Sequence, residues 1–444
     1  MTPSQVKSLC YGIFKQSTAD ATEIMLNIYH SGLTRYANNM IHQHVEEQDV
    51  GISIRTIIGK KTASASTNQF DPKSLDRTLH KAIELAKHQK PIENLLPLVK
   101  RQSYKNTSAY VERTADSTPI ARARVVKGII EEGRRNNLVM AGALSTQYVD
   151  RYLAGSNGVF AHFPSTLSEL SVAALNGDRM GFRESAYRDV KLHAPRSLTQ
   201  GAIHDATHGG APREIKPGVY PTLLTSKASA DMILNLASHF GALAVEEGRS
   251  CFSGKMGKPI FSEKLVISDD VFNPRMSGTP FDYEGIPRQR IVLVKNGKVD
   301  QLVHDRSTAK KARTTSTGHS LPVPNDHGPM PMNLVVQTGK SSFQDLVHTM
   351  KRGILLSGLH YVNVVDPQEL VITGMTKGTA FWIENGEIAY PLKTLRFNQS
   401  VLETLKYVEE IGNETGAHSE WGSVWCVAPS ILTERFAFTS GTKF

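Results

Sequence analysis

Apolar and polar residues alternate along the first part of the chain with the period of a half-buried β-strand. Ile24, Leu26 and Ile28 recur at every second position, which is the spacing of side chains that share one face of a strand. Further strand-like runs follow at 33–41, 43–48, 50–58 and 62–67. Because these runs are short, consecutive and joined by tight turns, they predict an antiparallel sheet.

Two stretches have instead the spacing of an amphipathic helix. The first begins at Asp71-Pro72, where an N-cap residue and a first-turn proline precede apolar residues at Leu75, Leu79 and Ile83. The second begins at Thr118-Pro119. Strand-like patterns resume at 138–153, 166–176 and 179–187. The first half of the chain therefore predicts an antiparallel sheet accompanied by helices.

Glycine and proline concentrate between residues 209 and 221, which predicts a boundary between two domains. Beyond it we expect one helix over about 228–247, several strands, and, over the polar stretch 305–332, an ordered or lid-like loop rather than a core element. Strands and helices are grouped rather than alternating as βαβ units, which predicts an α+β fold. The predicted domains are an N-terminal α+β domain at 1–208 and a C-terminal domain at 209–444 with mostly antiparallel strands and some helices.

The composition is that of a globular chain. Of its 444 residues, 40% are hydrophobic, and the longest apolar runs are strand-sized, so no membrane span is expected. The N-terminus lacks the apolar stretch of a secretory signal. Cys10, Cys251 and Cys426 are far apart and odd in number, which gives neither a disulfide framework nor a paired zinc motif. A cytoplasmic location is expected.

One pair of histidines has the spacing of a metal site. His204 and His208 lie one helical turn apart with Asp205 beside the first, superficially like the zinc-protease pattern His-Glu-x-x-His. Aspartate is shorter than the glutamate that normally reaches the metal-bound water, and no third ligand is signalled nearby. The pattern favours a solvated helix C-terminus, where histidines interact well with the helix dipole, over a metal site.

Two other sets of charged residues are candidates for binding a ligand. His239 and Glu246 lie seven residues apart on one face of the predicted helix, and we interpret them as a solvated or interface-facing pair. The basic run Lys310, Lys311 and Arg313 is interleaved with serine and threonine rather than with aromatic residues, so it lacks the stacking platforms of a single-strand nucleic-acid site. The net charge of +9 permits an anionic partner without requiring one, and nucleic acid is not favoured.

Seven stretches resemble the TldD/TldE (PmbA) family, which is described historically as modulators of DNA gyrase and now as a two-subunit metalloprotease. They are Leu33 to Gln48, Ala63 to Asn68, Arg213 to Tyr220, Ser250 to Lys255, Ser316 to His319, Met332 to Gly339 and Phe381 to Pro391. None is a catalytic signature by itself, but seven in the right order are hard to obtain by chance. The chain is identified as a member of the family on these segments.

The resemblance also indicates which of the two subunits this is. TldD-like chains of the family hold a metal through His-Glu-x-x-x-His on the helix before the SxFSGK-like segment, with a further cysteine ligand near the C-terminus. The corresponding region here has His239 but neither the following glutamate nor the partner histidine, and its acids are Glu246 and Glu247. The stretch 416–419 lacks the cysteine, and Cys426 comes several residues later, in an apparent buried strand.

These departures imply a TldE/PmbA-like subunit with no catalytic, cofactor-binding or metal-binding residues of its own, because zinc catalysis needs at least three protein ligands. The resemblance further implies a heterodimer with a TldD-like subunit that carries the zinc. Its substrate would be an unfolded or leader peptide, cleaved in turnover or in peptide maturation. Such a peptide is best held by adding itself as a strand to a sheet edge.

Two other functions remain open at this point. One is an independent metal-dependent hydrolase that uses His204 and His208, and the other is a regulator that binds nucleic acid or a topoisomerase. The metal content of the purified chain separates the first from the family interpretation. The salt dependence of any DNA binding tests the second.

Overall fold

Six antiparallel strands form the first sheet of the computed structural model, which describes residues 1–420 and 424–441. In chain order the strands are β1 (Ala21–Ala37), β2 (Met40–Ile58), β3 (Lys61–Thr67), β4 (Val139–Gly155), β5 (Phe160–Asn176) and β6 (Arg179–Tyr187). Their spatial order is β3-β2-β1-β4-β5-β6. The four runs predicted between residues 22 and 58 are thus two long strands. The alternation fades between 40 and 49 because this end of β2 is exposed.

Helices cover one face of this sheet. They are α1 (Pro3–Gln16), α2 (Pro72–His88), α3 (Glu112–Ala115), α4 (Pro119–Arg135) and α5 (Pro195–Thr207). The predicted caps are present, since Asp71 accepts a hydrogen bond from Ser74 N and Thr118 accepts one from Ala121 N. Buried residues of α2 and α4, such as Leu79 and Val126, pack against the strands. In the part of the chain that the structure describes, no helix is both long and apolar enough to cross a bilayer.

A second, larger sheet occupies the C-terminal part. Its strands are β7 (Gly218–Leu224), β8 (Ile267–Asp269), β9 (Ile291–Lys295), β10 (Lys298–Val299), β11 (Asn333–Val336), β12 (Arg352–Leu356), β13 (Leu359–Asp366), β14 (Val371–Thr376), β15 (Ala380–Glu384), β16 (Glu387–Leu392), β17 (Leu395–Ser400), β18 (Val408–Glu420) and β19 (Val424–Gly441). Most neighbours are antiparallel, while the β11–β19 and β7–β12 pairs are parallel. The predicted α+β class is confirmed. The division at residue 208, which falls between α5 and β7, stays a prediction.

The last strand of the chain lies in the middle of this sheet. One edge of β19 is hydrogen-bonded first to β11 and then to β7, and the other edge first to β18 and then to β17. The remaining helices of this part are α6 (Ser226–Leu234), α7 (Ala242–Glu246), α8 (Arg306–Lys311), α9 (Phe343–Met350) and α10 (Val401–Lys406). Its core contains residues of α6 together with β19, including Ile233, Cys426 and Phe436.

The single helix predicted over about 228–247 is wrong, because the chain breaks it into α6, a 3₁₀ turn at Ala237–Phe240, and α7. Pairing with a neighbouring segment causes the break: Ala242 N donates to Val303 O, and Val303 N donates to Phe240 O. A side chain at Gly241 would place its Cβ 2.3 Å from Pro329 O. Tertiary pairing therefore overrides the helical periodicity here.

The polar stretch 305–332 is ordered, as one of the two expected alternatives had it, but the expectation that it lies outside the core is wrong. It begins with α8, and His319 within it is fully buried. His319 Nε2 lies 3.0 Å from Oδ1 of the equally buried Asp269, whose Oδ2 accepts hydrogen bonds from Met332 N and Asn333 N. A lid would have to break these buried hydrogen bonds, at a cost of about 1–3 kcal/mol for each polar group left without a partner.

Replacing Glu284 with glutamine should stabilise the chain at pH 8 and stabilise it much less at pH 5. Burial and the neighbouring Asp282 raise the pKa of Glu284 to about 7. The folded chain therefore holds this proton more tightly than the unfolded chain does, so the glutamate costs stability as the pH rises from about 4.3 through 7. The gain at pH 8 should be about 1–3 kcal/mol. Glutamine keeps an acceptor for Arg306 N.

Thermal melts at the two pH values measure this effect. Glu263→Gln, at an exposed position, is the matched control and should show no difference between them. An equal stabilisation by Glu284→Gln at pH 5 and pH 8 would contradict the assignment of the penalty to ionisation.

Candidate functional site

Two adjoining cavities form a cleft between the two sheets. Their volumes are about 350 and 690 Å³, and both are lined by Phe182, Glu184 and Lys227. The first sheet supplies β6 and the uncovered face of its neighbouring strands, with Arg35, Ser145 and Glu169 among the lining residues. The second part supplies the start of α6 and the stretch 412–418. The cleft is therefore built from segments that are remote in sequence.

Strand β6 is an edge strand beside this cleft. It pairs with β5 on one side and, among the described residues, with no strand on the other. Five successive residues of β6, at positions 182–186, line one or both cavities. An edge strand presents unpaired backbone N–H and C=O groups. The cleft thus offers a place where an extended chain can be held by backbone hydrogen bonds.

A cluster of charges crosses the cleft at the point where the cavities meet. Lys227 Nζ lies 2.6 Å from Asp231 Oδ1 and 3.0 Å from Glu184 Oε1. Lys377 Nζ lies 3.6 Å from Glu184 Oε2, and its ammonium also stands 4.0 Å from the ring centre of Phe182. The side chains of Lys227, Glu184 and Asp231 are each less than a quarter exposed. The two lysines therefore hold the two carboxylates of the cluster.

The charges of this cluster are fixed near neutral pH. Burial by itself would raise the pKa of Glu184, but contact with His418 and the charges of Lys227 and Lys377 outweigh it and hold that pKa below its ordinary value. Burial would lower the pKa of Lys227, but the carboxylates of Asp231 and Glu184 outweigh it and raise that pKa. A proton-transfer group needs a pKa near the working pH. Neither Glu184 nor Lys227 is therefore suited to accept or donate a proton itself.

His418 lies at the same point, on β18. It is buried, its Nε2 lies 2.8 Å from Ser226 Oγ, and its Nδ1 lies 3.5 Å from Glu184 Oε1. No atom of the described residues completes a hydrogen bond to Nδ1. Ser226 is the first residue of α6, directly after the N-cap Thr225, whose side chain accepts from Ala228 N. The C-terminal stretch singled out in the sequence therefore meets the start of α6.

The structure gives each residue of the predicted metal-helix region a separate partner. His239 is buried, its Nδ1 accepts a hydrogen bond from Cys251 N, and burial lowers its pKa. Glu246 pairs with Lys311 at 3.0 Å, and Glu247 pairs with Arg249. The interpretation of His239 and Glu246 as a solvated or interface-facing pair is wrong, because His239 points into the core.

The two histidines with metal-like spacing lie away from the cleft cluster, at the exposed end of α5. The rings of His204 and His208 stack with their centres 4.7 Å apart. The carboxylate of Asp205 is buried and paired with Arg183. Within residues 1–420 and 424–441, no group of three or more histidine, cysteine, aspartate or glutamate side chains is arranged to hold a metal ion. The residues present therefore do not fit a zinc site.

Sequence reasoning missed Ser226, Lys227, Glu184 and Lys377. A weak signal existed, since an apolar strand runs directly into a Thr-Ser pair that can cap a helix. Nothing in the sequence pairs that helix start with Glu184 or with His418, which is 192 residues further along the chain.

Comparison with known proteins places the chain among metallopeptidases. The family described as "PmbA/TldA metallopeptidase C-terminal domain" matches residues 217–440, and "PmbA/TldA metallopeptidase domain 1" matches residues 22–86. "Metalloprotease PmbA" of Escherichia coli O157:H7 is 22% identical over 85% of this chain and 84% of its own length. A "Metalloprotease" of Methanothermobacter thermautotrophicus is 31% identical over 70% of this chain and 60% of its own length.

A solved structure has the same fold. TldE from Thermococcus kodakarensis superposes with a TM-score of 0.85 and 21% identity, over 98% of this chain and all of that one. The superposition covers both sheets, so the cleft between them belongs to the shared architecture.

Proposed function

We propose, for a chain that belongs to the PmbA/TldD metallopeptidase family, the role of the TldE-like subunit in a two-subunit metallopeptidase. In this role it binds part of the peptide substrate and encloses the cleft, while a TldD-like partner supplies the metal. The structural similarity to a TldE protein supports this choice of subunit.

The observation that carries the proposal is the lysine at the centre of the cleft. The family segments that hold metal in TldD-like chains are the helix region before 250–255 and the stretch near the C-terminus. Here the start of that helix region meets residue 418, and the nearby carboxylates of Glu184 and Asp231 are held by the Lys227 ammonium. A divalent cation would have to sit beside this buried positive charge, which is strongly unfavourable. The two carboxylates therefore suit the Lys227 ammonium as their cation rather than a zinc ion.

The cleft suits an extended peptide. Its two cavities form one groove beside the edge of β6 that no described strand covers, where backbone hydrogen bonds give affinity without sequence preference. Enclosing this groove between two subunits admits unfolded chains or leader peptides and excludes folded proteins. Such a size filter is appropriate for peptide turnover or maturation. In this proposal the pair works in the cytoplasm, and the zinc belongs to the partner.

Metal content and association test this role. The purified chain should contain no stoichiometric zinc, and His204→Ala together with His208→Ala should leave its metal content and melting temperature unchanged. Mixed with a TldD-like chain, it should elute as a 1:1 species, as expected for an obligate interface of roughly 2,000 Å² or more. About one tightly held zinc per chain, lost in the histidine variants, would instead establish the independent hydrolase.

A further inference from the structure

Three side chains at the base of the cleft form a continuous series of contacts that subunit pairing does not require. Ser226 Oγ lies 2.8 Å from His418 Nε2, and His418 Nδ1 lies 3.5 Å from Glu184 Oε1. We propose that Ser226, His418 and Glu184 form a nucleophile, base and carboxylate triad that hydrolyses small carboxylic esters without a metal. This activity is separate from the peptidase role.

The order of contacts is the one that serine nucleophiles need. A weak nucleophile is activated when a base lies within hydrogen-bond reach and a third group orients that base. Here His418 uses one ring nitrogen for Ser226 and turns the other towards Glu184. The ionised Glu184 can hold the proton on Nδ1, which leaves Nε2 free to accept the serine proton. The 3.5 Å separation is long, as such contacts often are before substrate binds.

The backbone places Ser226 where a nucleophile is useful. It follows β7 and opens α6, a nine-residue helix, so it sits on a strand-to-helix turn that exposes its hydroxyl to the cavity. The first N–H groups of a helix lack partners within the helix and carry partial positive charge. Thr225 N donates to Leu356 O and Ala228 N to Thr225 Oγ1, so the N–H groups of residues 226 and 227 are the ones that would stabilise an oxyanion beside Ser226.

Gly416 keeps the serine–histidine contact open. A Cβ atom at this position would lie 2.2 Å from Ser226 Oγ and 2.7 Å from His418 Nε2. Any larger residue would therefore push the two side chains apart. The glycine is a second, independent observation that space is reserved around this pair.

The cavity beside Ser226 limits the substrate. Its volume of about 350 Å³ is at the lower end of the range for small-molecule sites, roughly 300–1,000 Å³. Phe182, Phe343 and Leu346 supply apolar lining, suitable for a short acyl chain. We therefore assign esters of short carboxylic acids as the substrate class.

The reaction needs only an ester and water. Ser226 Oγ adds to the ester carbonyl carbon while its proton passes to His418 Nε2. The tetrahedral adduct expels the alcohol oxygen, which takes that proton and leaves as the alcohol. Water then attacks the acyl-serine by the same route, which releases the carboxylic acid and regenerates the serine.

The isolated chain, without partner and with EDTA present, is the material for the test. It should hydrolyse p-nitrophenyl acetate with an initial burst, and a fluorophosphonate probe should add one mass increment, located at Ser226 by peptide mapping. Ser226→Ala and His418→Gln should each lower both rates by about a hundredfold or more. Ser8→Ala, at an exposed position on α1 and outside the lining of both cavities, should leave them unchanged.

Ser226→Cys provides a second test in case the Ser226→Ala variant does not fold. Its new thiol should be acylated, and the native cysteines Cys10, Cys251 and Cys426 are all buried, so the adduct is assignable. No burst and no adduct in the wild type, unchanged labelling in Ser226→Ala, or loss of activity with EDTA would each overturn the triad. Because no partner is present, a failed heterodimer experiment has no bearing on this result.

Discussion

Peptide cleavage should appear only when this chain is mixed with a metal-bearing TldD-like chain, at a rate at least about a hundredfold above either chain alone. This chain has no described side chains arranged to hold a metal, so we expect the metal that polarises the peptide carbonyl to come from the partner. The partner lacks the second wall of the groove. An unstructured fluorogenic peptide, a 1:1 mixture and a titration with chelator measure the effect, and chelator should abolish it.

A folded protein of similar sequence to the peptide is the matched control for this experiment. If the two subunits enclose the groove, the folded substrate should resist cleavage while its denatured form is degraded. Cleavage of the peptide by this chain alone at the rate of the mixture would show that the non-catalytic assignment is wrong.

Replacing Lys227 with methionine should destabilise the chain by about 3 kcal/mol, near the lower end of the range for breaking a buried ion pair. Lys227 is the shared partner of Glu184 and Asp231. Without it, two carboxylates less than a quarter exposed lose their nearest positive charge. Methionine has a similar length, so the loss reports charge rather than volume. Denaturant unfolding measures the change.

Two further variants make this result interpretable. Lys258→Met, at an exposed position, should change stability by less than about 0.5 kcal/mol. Adding Glu184→Gln to Lys227→Met should restore part of the loss, because the uncompensated carboxylate is then neutral. A loss below about 0.5 kcal/mol for Lys227→Met would mean that water already compensates both carboxylates.

Local sequence patterns correctly predicted the strands and helices that are specified by residues within the element itself. The alternation of Ile24, Leu26 and Ile28 correctly placed β1, and the Asp71 and Thr118 caps correctly placed the starts of α2 and α4. The prediction of one helix over 228–247 was wrong because residue 303 interrupts it by backbone pairing, and this pairing exists only in the folded chain. The expectation that 305–332 lies outside the core was wrong for the same reason, since His319 in this segment is buried against Asp269, 50 residues earlier in the chain.

The cleft could not be predicted from the sequence for a related reason. Its central charges come from β6, α6 and β18, and each looks like an ordinary exposed polar residue in its own sequence window. Lysine and glutamate are seldom buried unless they are paired, and the pairing partner is not visible locally. Family resemblance indicated which ligands are missing, but it did not indicate what replaces them.

The central position of β19 has a consequence for synthesis on the ribosome. The strands and helices of the first sheet all precede Thr207, so this part can fold while the rest is still being translated. The second sheet cannot be completed then, because β7 and β11 pair with one edge of β19, and β18 and β17 with the other. Until β19 has been synthesised, the strands that pair with it expose unpaired edges, which are prone to aggregation.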